Sequence, residues 1–243
     1  MNPIVIIPAR LAATRLPGKP LADIGGVPMI VHVWRRALAA RVGPVVVACG
    51  DTTIAEAVQA AGGTAIMTDP DLPSGSDRVW AALRVVDPGG AHDVIINLQG
   101  DLPTLPPEFL GAVLGPLADP GFDLATLTAE IHTQAERLSA AVVKAVCGFP
   151  ASQTVAQALY FSRAAVPAGD GPLWHHIGIY AWRRAALERF VSLPPSILEK
   201  QEKLEQLRAL EAGMRIGIAQ VDHAPHGVDT QEDLARARLA LAR

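Results

Sequence analysis

The chain is poor in cysteine, aromatic residues and positive charge, and each shortage removes a class of protein. Its 243 residues include two cysteines, Cys49 and Cys147. Two distant thiols without metal-ligand spacing exclude a disulfide framework and read as buried, reduced side chains. Aromatic residues make up 5% of a composition that is 50% hydrophobic, so the core must be built from Ala, Val, Leu and Ile. Lysine and arginine number 21 against 24 acidic residues, a net charge of -3. Without a basic bias, a general nucleic-acid binder is not expected. No apolar run approaches the roughly 20 residues that cross a bilayer. Residues 1–8 are apolar, but Arg10 and Arg15 follow at once with no cleavage pattern. A soluble, cytoplasmic protein without a membrane partner is expected. Neither G-x-x-x-x-G-K-[ST] nor G-x-G-x-x-G occurs, so two common phosphate-binding loops are missing as well.

What is present alternates. "PIVIIPA" reads as a buried strand, and "VPMIVHVWRRALAARV" as a helix with Ile30, Val33, Trp34, Ala37 and Leu38 on one face. The strand "PVVVACG", the helix "TIAEAVQAAGG" closed by glycine, the strand "TAIMT", the helix "SDRVWAALRVV" and the strand "DVIINLQGD" follow. This βαβαβαβ order predicts an α/β fold with a mostly parallel sheet and helices on both faces. Beyond it, "AAVVKAV", "QALYFSR" and "WHHIGIYAW" read as strands, with "VCGFPASQTVA" a turn between the first two. "ALERFVSL", "ILEKQEKLEQLRALEAG" and "EDLARARLALAR" read as helices, and "RIGIAQV" as a strand before the last. No linker marks a boundary, so residues 1–243 are expected to form one domain with an antiparallel excursion between about 130 and 190.

In open α/β sheets, ligands bind at the carboxyl ends of strands near the topological switch point. The loop after the first strand holds Arg10, Arg15 and Lys19, with Gly18 beside the lysine. Fixed cations with close backbone approach suit a polyphosphate; a solvated basic loop is the other reading. In "NLQGD", Asp101 stands at a strand tip, where a carboxylate suits Mg²⁺ shared with substrate phosphates or closes a turn. Asp229 in "HGVDTQEDL" is either a second metal carboxylate or, with Thr230, a helix cap. "PSGSDR" is a polar clamp or a cap for the helix that follows. Alternation sends His175 and His176 to opposite faces, which makes them a poor metal pair. "LEKQEKLEQLRALE" has the periodicity of a solvated helix face with Glu–Lys and Glu–Arg pairs.

The blocks "IIPARLAATRLPGKPL", "PSGSDR", "NLQGDLP", "VVKAV", "LYFSR", "HIGIYAW", "EKLEQLRALE" and "VDTQEDL" run in this order over nearly the whole chain. In this the sequence resembles the 3-deoxy-manno-octulosonate cytidylyltransferase family. The resemblance implies a Rossmann-like nucleotidyltransferase fold and transfer of CMP from CTP to a 3-deoxy-ulosonic sugar acid, with release of pyrophosphate, for lipopolysaccharide synthesis. It implies that Arg10, Arg15 and Lys19 hold the triphosphate and that Asp101 and Asp229 hold Mg²⁺, with a second metal riding on the triphosphate. Cytosine would be read by Pro8, Ala9 and Arg10 and by Ser74, Ser76, Asp77 and Arg78, with Gln99 alongside. The sugar acid would meet Gln99, Arg163, His176, Tyr180, Glu205 and Gln206, with Lys144 nearby. A homodimer is implied, with the segment around "HIGIYAW" near the contact and Trp174, Trp182 and Phe190 either at that surface or in the core. The chain departs from the family at Leu102, where an acidic residue is usual, in "DLPSGSDR", which lacks a histidine, and at Cys49 and Gly50. Two other readings remain: a cytidylyltransferase for a related ulosonic or sialic-type acid, and a non-catalytic CTP-binding relative.

Overall fold

The protein is described from a computed structural model, which covers residues 1–12 and 16–242. The chain folds into two compact units, Met1–Leu110 with Pro225–Arg243, and Gly111–Ala224.

The first unit contains β1 (Pro3–Ala9), the two-residue strands β2 (Asp23–Ile24) and β3 (Val27–Pro28), α1 (Met29–Ala39), β4 (Val45–Cys49), α2 (Thr52–Ala60), β5 (Thr64–Met67), α3 (Gly75–Val86) and β6 (Val94–Asn97). Its main strands are parallel in the order β5–β4–β1–β6. Ile4 to Ile7, Val45 to Cys49 and Val94 to Asn97 are buried without alternation. Such continuous burial is what a parallel sheet covered on both faces requires. The strand order reverses direction at β1, between β4 and β6, and that reversal opens the crevice where α/β proteins bind ligands. α1 buries Ile30, Val33, Trp34 and Ala37 as its periodicity predicts; Leu38, expected on the same face, is 44% exposed. α2 is closed by Gly62 in the left-handed region, φ +85°.

The C-terminal helix, Gln231–Leu241, begins with a capping box formed by Thr230 and Asp233. It packs Leu234 and Ala237, with Val228, against Leu16, Ile24 and Met29. This small cluster ties the segment after the first loop to the end of the chain.

The second unit follows α4 (Glu108–Ala112). It contains β7 (Leu124–Glu130), α5 (Gln134–Leu138), β8 (Lys144–Val146), β9 (Val155–Gln157), β10 (Tyr160–Ser162), β11 (Trp174–Arg183), α6 (Arg184–Ser192), α7 (Ile197–Glu202), α8 (Gln206–Glu211) and β12 (Ile216–Gln220). β11 runs antiparallel to β7 and β8, β10 to β8, and β9 to β12, while β12 and β7 are parallel. The α/β class and the antiparallel excursion are as the sequence predicts.

In the second unit two local expectations fail. "QALYFSR" is not one strand: Ala158 donates to Ile216 O and Leu159 to Val146 O, so the chain switches partners from β12 to β8 within two residues. The segment 197–213 is not one helix. It breaks at Lys203, φ 57°, and turns Leu204 into the core. The break lets Arg208 reach Glu199 with two hydrogen bonds, Nε to Oε2 at 2.8 Å and Nη2 to Oε1 at 2.5 Å, a pairing that no straight-helix spacing provides.

Candidate functional site

In the first unit a cleft of about 280 Å³ opens at the carboxyl ends of β1 and β6. Pro8, Ala9, Arg10 and Ala12 line it from the loop after β1, with Lys19 and Pro20 where that loop returns. Gln99, Gly100 and Asp101 line it from the loop after β6, and Leu72, Ser74, Gly75 and Arg78 from the start of α3. Leu11 N–H donates to Asp51 Oδ2 at 2.8 Å, which anchors the first loop to the end of β4. Arg15 lies outside the described residues.

Lys19 sits between two carboxylates. Its Nζ donates to Asp101 Oδ2 at 2.8 Å and to Asp229 Oδ1 at 2.9 Å. Burial pulls the ammonium toward its neutral form, but Asp101 and then Asp229 more than offset that, and its pKa ends above the ordinary lysine value. Asp229 is carried in by the Val228 N–H, which bonds to Asp101 O at 2.9 Å, and by the packing of Val228 and Leu234 on Leu16 and Met29. Two residues 128 positions apart therefore present their carboxylates to one cation.

The clamp read in "PSGSDR" is first a cap. Ser74 Oγ accepts from Asp77 N–H and donates to Asp77 Oδ2, which fixes the start of α3. Ser76 is buried, and neither it nor Asp77 lines the cleft. Arg78 is 2% exposed and holds the segment before α3, donating to Thr68 Oγ1 at 2.5 Å, Asp69 O at 3.0 Å and Pro70 O at 3.1 Å. Burial, and next Arg10, lower its pKa, so two guanidinium groups share one positive region. Gly50 makes room for this: a Cβ there would stand 2.9 Å from Arg78 Nη1 and 3.3 Å from Arg10 Cβ. Asp51 and Gly50 were not singled out as functional by sequence reasoning; their signal was the "CGD" that ends β4. Leu102, in the place of an acidic residue, is buried, and its Cδ2 would lie 3.9 Å from a Cβ at Gly227. It leaves the carboxylate pair intact.

The second unit holds the other residues read as sugar contacts, apart from Gln99, which lines the cleft of the first unit. His176 and Tyr180 lie on β11 with ring centroids 5.6 Å apart, and Phe161 packs on His176 at 4.8 Å. Burial, then His175, lowers the His176 pKa to about 3, so the ring is neutral. Burial and then Glu205 raise the pKa of Tyr180, which stays a phenol. Arg163 meets the carbonyls of Ala140, Glu202 and Lys203 with its guanidinium. Lys144 is fully buried, and its Nζ donates to Ser139 O at 2.6 Å and Arg163 O at 3.4 Å. Burial lowers its pKa. Gln206 is 4% exposed and its Nε2 has no hydrogen-bond partner among the described residues. An orphaned buried amide costs about 1–3 kcal/mol, so it points to a ligand. Trp174, Trp182 and Phe190 are core residues, at most 8% exposed, and supply no contact surface. No helix among the described residues is long and apolar enough to cross a membrane.

A parallel sheet with a cationic, carboxylate-bearing cleft at its switch point defines a nucleotide-phosphate-binding α/β protein. Comparison narrows this. The profile of the cytidylyltransferase family matches residues 4–216. A 3-deoxy-manno-octulosonate cytidylyltransferase of Paramagnetospirillum magneticum is 63% identical over 99% of this chain and 98% of its own length. One from Rhodopseudomonas palustris is 64% identical over 98% of this chain and 97% of its own. Among solved structures, a CMP:2-keto-3-deoxy-manno-octonic acid synthetase complexed with CTP is 41% identical, with a TM-score of 0.89 over 100% of this chain and 99% of its own. A cytidylyltransferase from Leptospira borgpetersenii, 17% identical at a TM-score of 0.64, shares the fold, covering 100% of this chain and 87% of its own. The chain belongs to the 3-deoxy-manno-octulosonate cytidylyltransferase family.

Proposed function

We propose that the protein transfers CMP from CTP to the anomeric hydroxyl of 3-deoxy-D-manno-octulosonate and releases pyrophosphate, supplying activated sugar for lipopolysaccharide synthesis in the cytoplasm. The observation that carries this reading is the meeting of Lys19, Asp101 and Asp229 at the cationic cleft, in a chain with relatives of that name at more than 60% identity.

Arg10, Arg15 and Lys19 bind the triphosphate and offset the charge that gathers on the leaving pyrophosphate. Such electrostatic stabilisation is commonly the largest catalytic contribution. Arg78 acts behind them, holding Thr68 to Pro70 and adding positive potential. Pro8, Ala9, the capped turn at Ser74 and Gln99 shape the place for cytosine. The hydroxyl of the sugar attacks the α-phosphorus in line, and the bond to the departing pyrophosphate oxygen breaks. Neither thiol is poised as a nucleophile for that step: burial pushes Cys49 and Cys147 up to about 12.

Asp101 and Asp229 fit Mg²⁺. The ion takes hard oxygen donors and is commonly held by one or two carboxylates plus substrate phosphates. Here two carboxylates already converge on a cation, the Lys19 ammonium. When bound, Mg²⁺ supplies Lewis acidity that screens the phosphates and acidifies the attacking hydroxyl. In the second unit, the cations Arg163 and Lys144 suit the carboxylate of the sugar acid, and His176, Tyr180, Glu205 and Gln206 suit its hydroxyls. The protein acts as a homodimer in this reading. Leu138 and Leu159, both more than 60% exposed, are apolar surface available to it.

Purified protein given CTP, Mg²⁺ and 3-deoxy-D-manno-octulosonate releases pyrophosphate in this reading. Failure to release it with any 3-deoxy-ulosonic acid overturns the proposal, and preference for another acid redirects it to a related acceptor.

A further inference from the structure

In a regular strand, residues four apart are separated by about 13 Å, at roughly 3.3 Å per residue. His176 and Tyr180 are four apart on β11, yet their rings lie 5.6 Å from centre to centre. The register accounts for it. His176 pairs with Thr128 and Tyr180 with Thr126, near neighbours on one face of β7, while the pairing shifts between Ile177 and Tyr180. β11 thus spends Gly178 and Ile179 on a bulge and brings the two rings together.

A bulge interrupts the ladder, and the carbonyls it frees need other partners. One side chain lies within reach of two of them and can donate to one. Thr126 Oγ1 lies 3.0 Å from Ile177 O and 2.9 Å from Ile179 O, and 2.9 Å from His176 Nε2. Thr126 is fully buried, so water does not substitute for it. Glycine does not impose the bulge: Gly178 lies outside the left-handed region, and a Cβ on it would meet nothing within 4 Å. A hydroxyl has one proton to give. Once it goes to a carbonyl, the oxygen accepts from His176, so the ring is protonated at Nε2 and presents a bare Nδ1.

We propose that Thr126 is a positioning residue for sugar-acid recognition. Its hydroxyl pins the bulge that sets His176 beside Tyr180, and it fixes the histidine as a donor at Nε2 and an acceptor at Nδ1. The inference rests on the reading of His176 and Tyr180 as sugar contacts; Thr126 acts through them.

Thr126→Val keeps the shape and removes the hydroxyl, whereas Thr126→Ser keeps the hydroxyl. The valine variant raises the KM for 3-deoxy-D-manno-octulosonate about tenfold, the size of one lost hydrogen bond. It leaves the KM for CTP within about twofold, and serine restores most of the loss. Long-range proton–nitrogen NMR spectra of the wild-type protein show His176 protonated at Nε2, and the valine variant loses that preference. A wild-type spectrum with the proton on Nδ1 overturns the inference even if the valine variant does not fold. So does an unchanged sugar KM, or an equal rise for CTP and sugar, in a folded valine variant. His176→Ala separates the failures: if it also leaves the sugar KM unchanged, the sugar-contact reading has failed; if it raises that KM and Thr126→Val does not, only the positioning role has.

Discussion

The cleft of the first unit and the polar residues of the second differ in charge and exposure, and under the proposed function they would meet different recognition problems. The cleft works with charge at a partly open surface: the side chain of Lys19 is 17% exposed and those of its partners Asp101 and Asp229 29% and 42%. The polar residues of the second unit include neutral, buried groups, His176, Thr126 and the Gln206 amide, with Phe161 packed on His176, as well as the cations Arg163 and Lys144. A triphosphate delivers its affinity through charge, and fixed cations with backbone approach answer it. A sugar acid has one charge and several hydroxyls, and directional donors and acceptors discriminate it. On that reading the first unit would tolerate solvent, whereas the second would exclude it, because a buried hydrogen bond counts for more and a missing one costs more.

The comparison breaks most visibly at the carboxylate pair. Asp101→Asn lowers turnover by about two orders of magnitude or more, the scale of losing one group that stabilises developing charge, while CTP still protects the protein against heat. Lys19→Met causes a loss of similar size. It also tightens Mn²⁺ binding to the nucleotide-free protein, measured by paramagnetic relaxation, because the competing ammonium is gone. Unchanged Mn²⁺ affinity would show that Lys19 and the metal do not share those oxygens.

A smaller effect tests structure in the second unit. Burial raises the Glu199 pKa, but the hydrogen bonds from Arg208 and Ser196 and the charge of Arg208 outweigh it, and the value ends below the ordinary one. A carboxyl depressed in the folded state contributes stability above its unfolded pKa, and that contribution fades as pH falls through the folded value. Glu199→Gln costs about 1–2 kcal/mol near neutral pH, as expected for removing the charge from a half-buried, doubly hydrogen-bonded ion pair. The gap to the wild type, read by urea denaturation, narrows as pH drops below 4.5. A gap independent of pH would mean that packing, not charge, is what the substitution removes.

The smallest effect has two signs. Gln206→Leu removes a buried amide nitrogen that has no partner among the described residues, so Tm holds or rises by the few degrees that about 1 kcal/mol brings. The KM for the sugar acid rises several-fold in the same variant. A fall in both stability and sugar affinity would instead make Gln206 a structural residue.

Much of the first unit was legible in the sequence, since local signals specify it. Unbroken apolar strands, Ser74 before its helix and Asp101 after a strand all act within a few residues of themselves. Asp229 was legible only as a cap or through resemblance, because its place beside Asp101 depends on packing between Val228, Leu234, Leu16 and Met29. In the second unit, periodicity misled. Lys203 takes a left-handed conformation that no spacing announces, and the partner exchange at Ala158 and Leu159 depends on strands far along the chain. The bulge in β11 hides for the same reason: Thr126 lies 50 residues before His176, whose position it sets.

The ammonium wedged between Asp101 and Asp229 also bears on how a nucleotide first arrives. Two bare carboxylates at the entrance would repel a polyanion, and that repulsion would slow every encounter. With Lys19 between them, the three side chains together amount to a single negative charge, set beside two guanidinium groups. Under the proposed function, an arriving triphosphate would meet carboxylates whose charge the Lys19 ammonium already offsets in part.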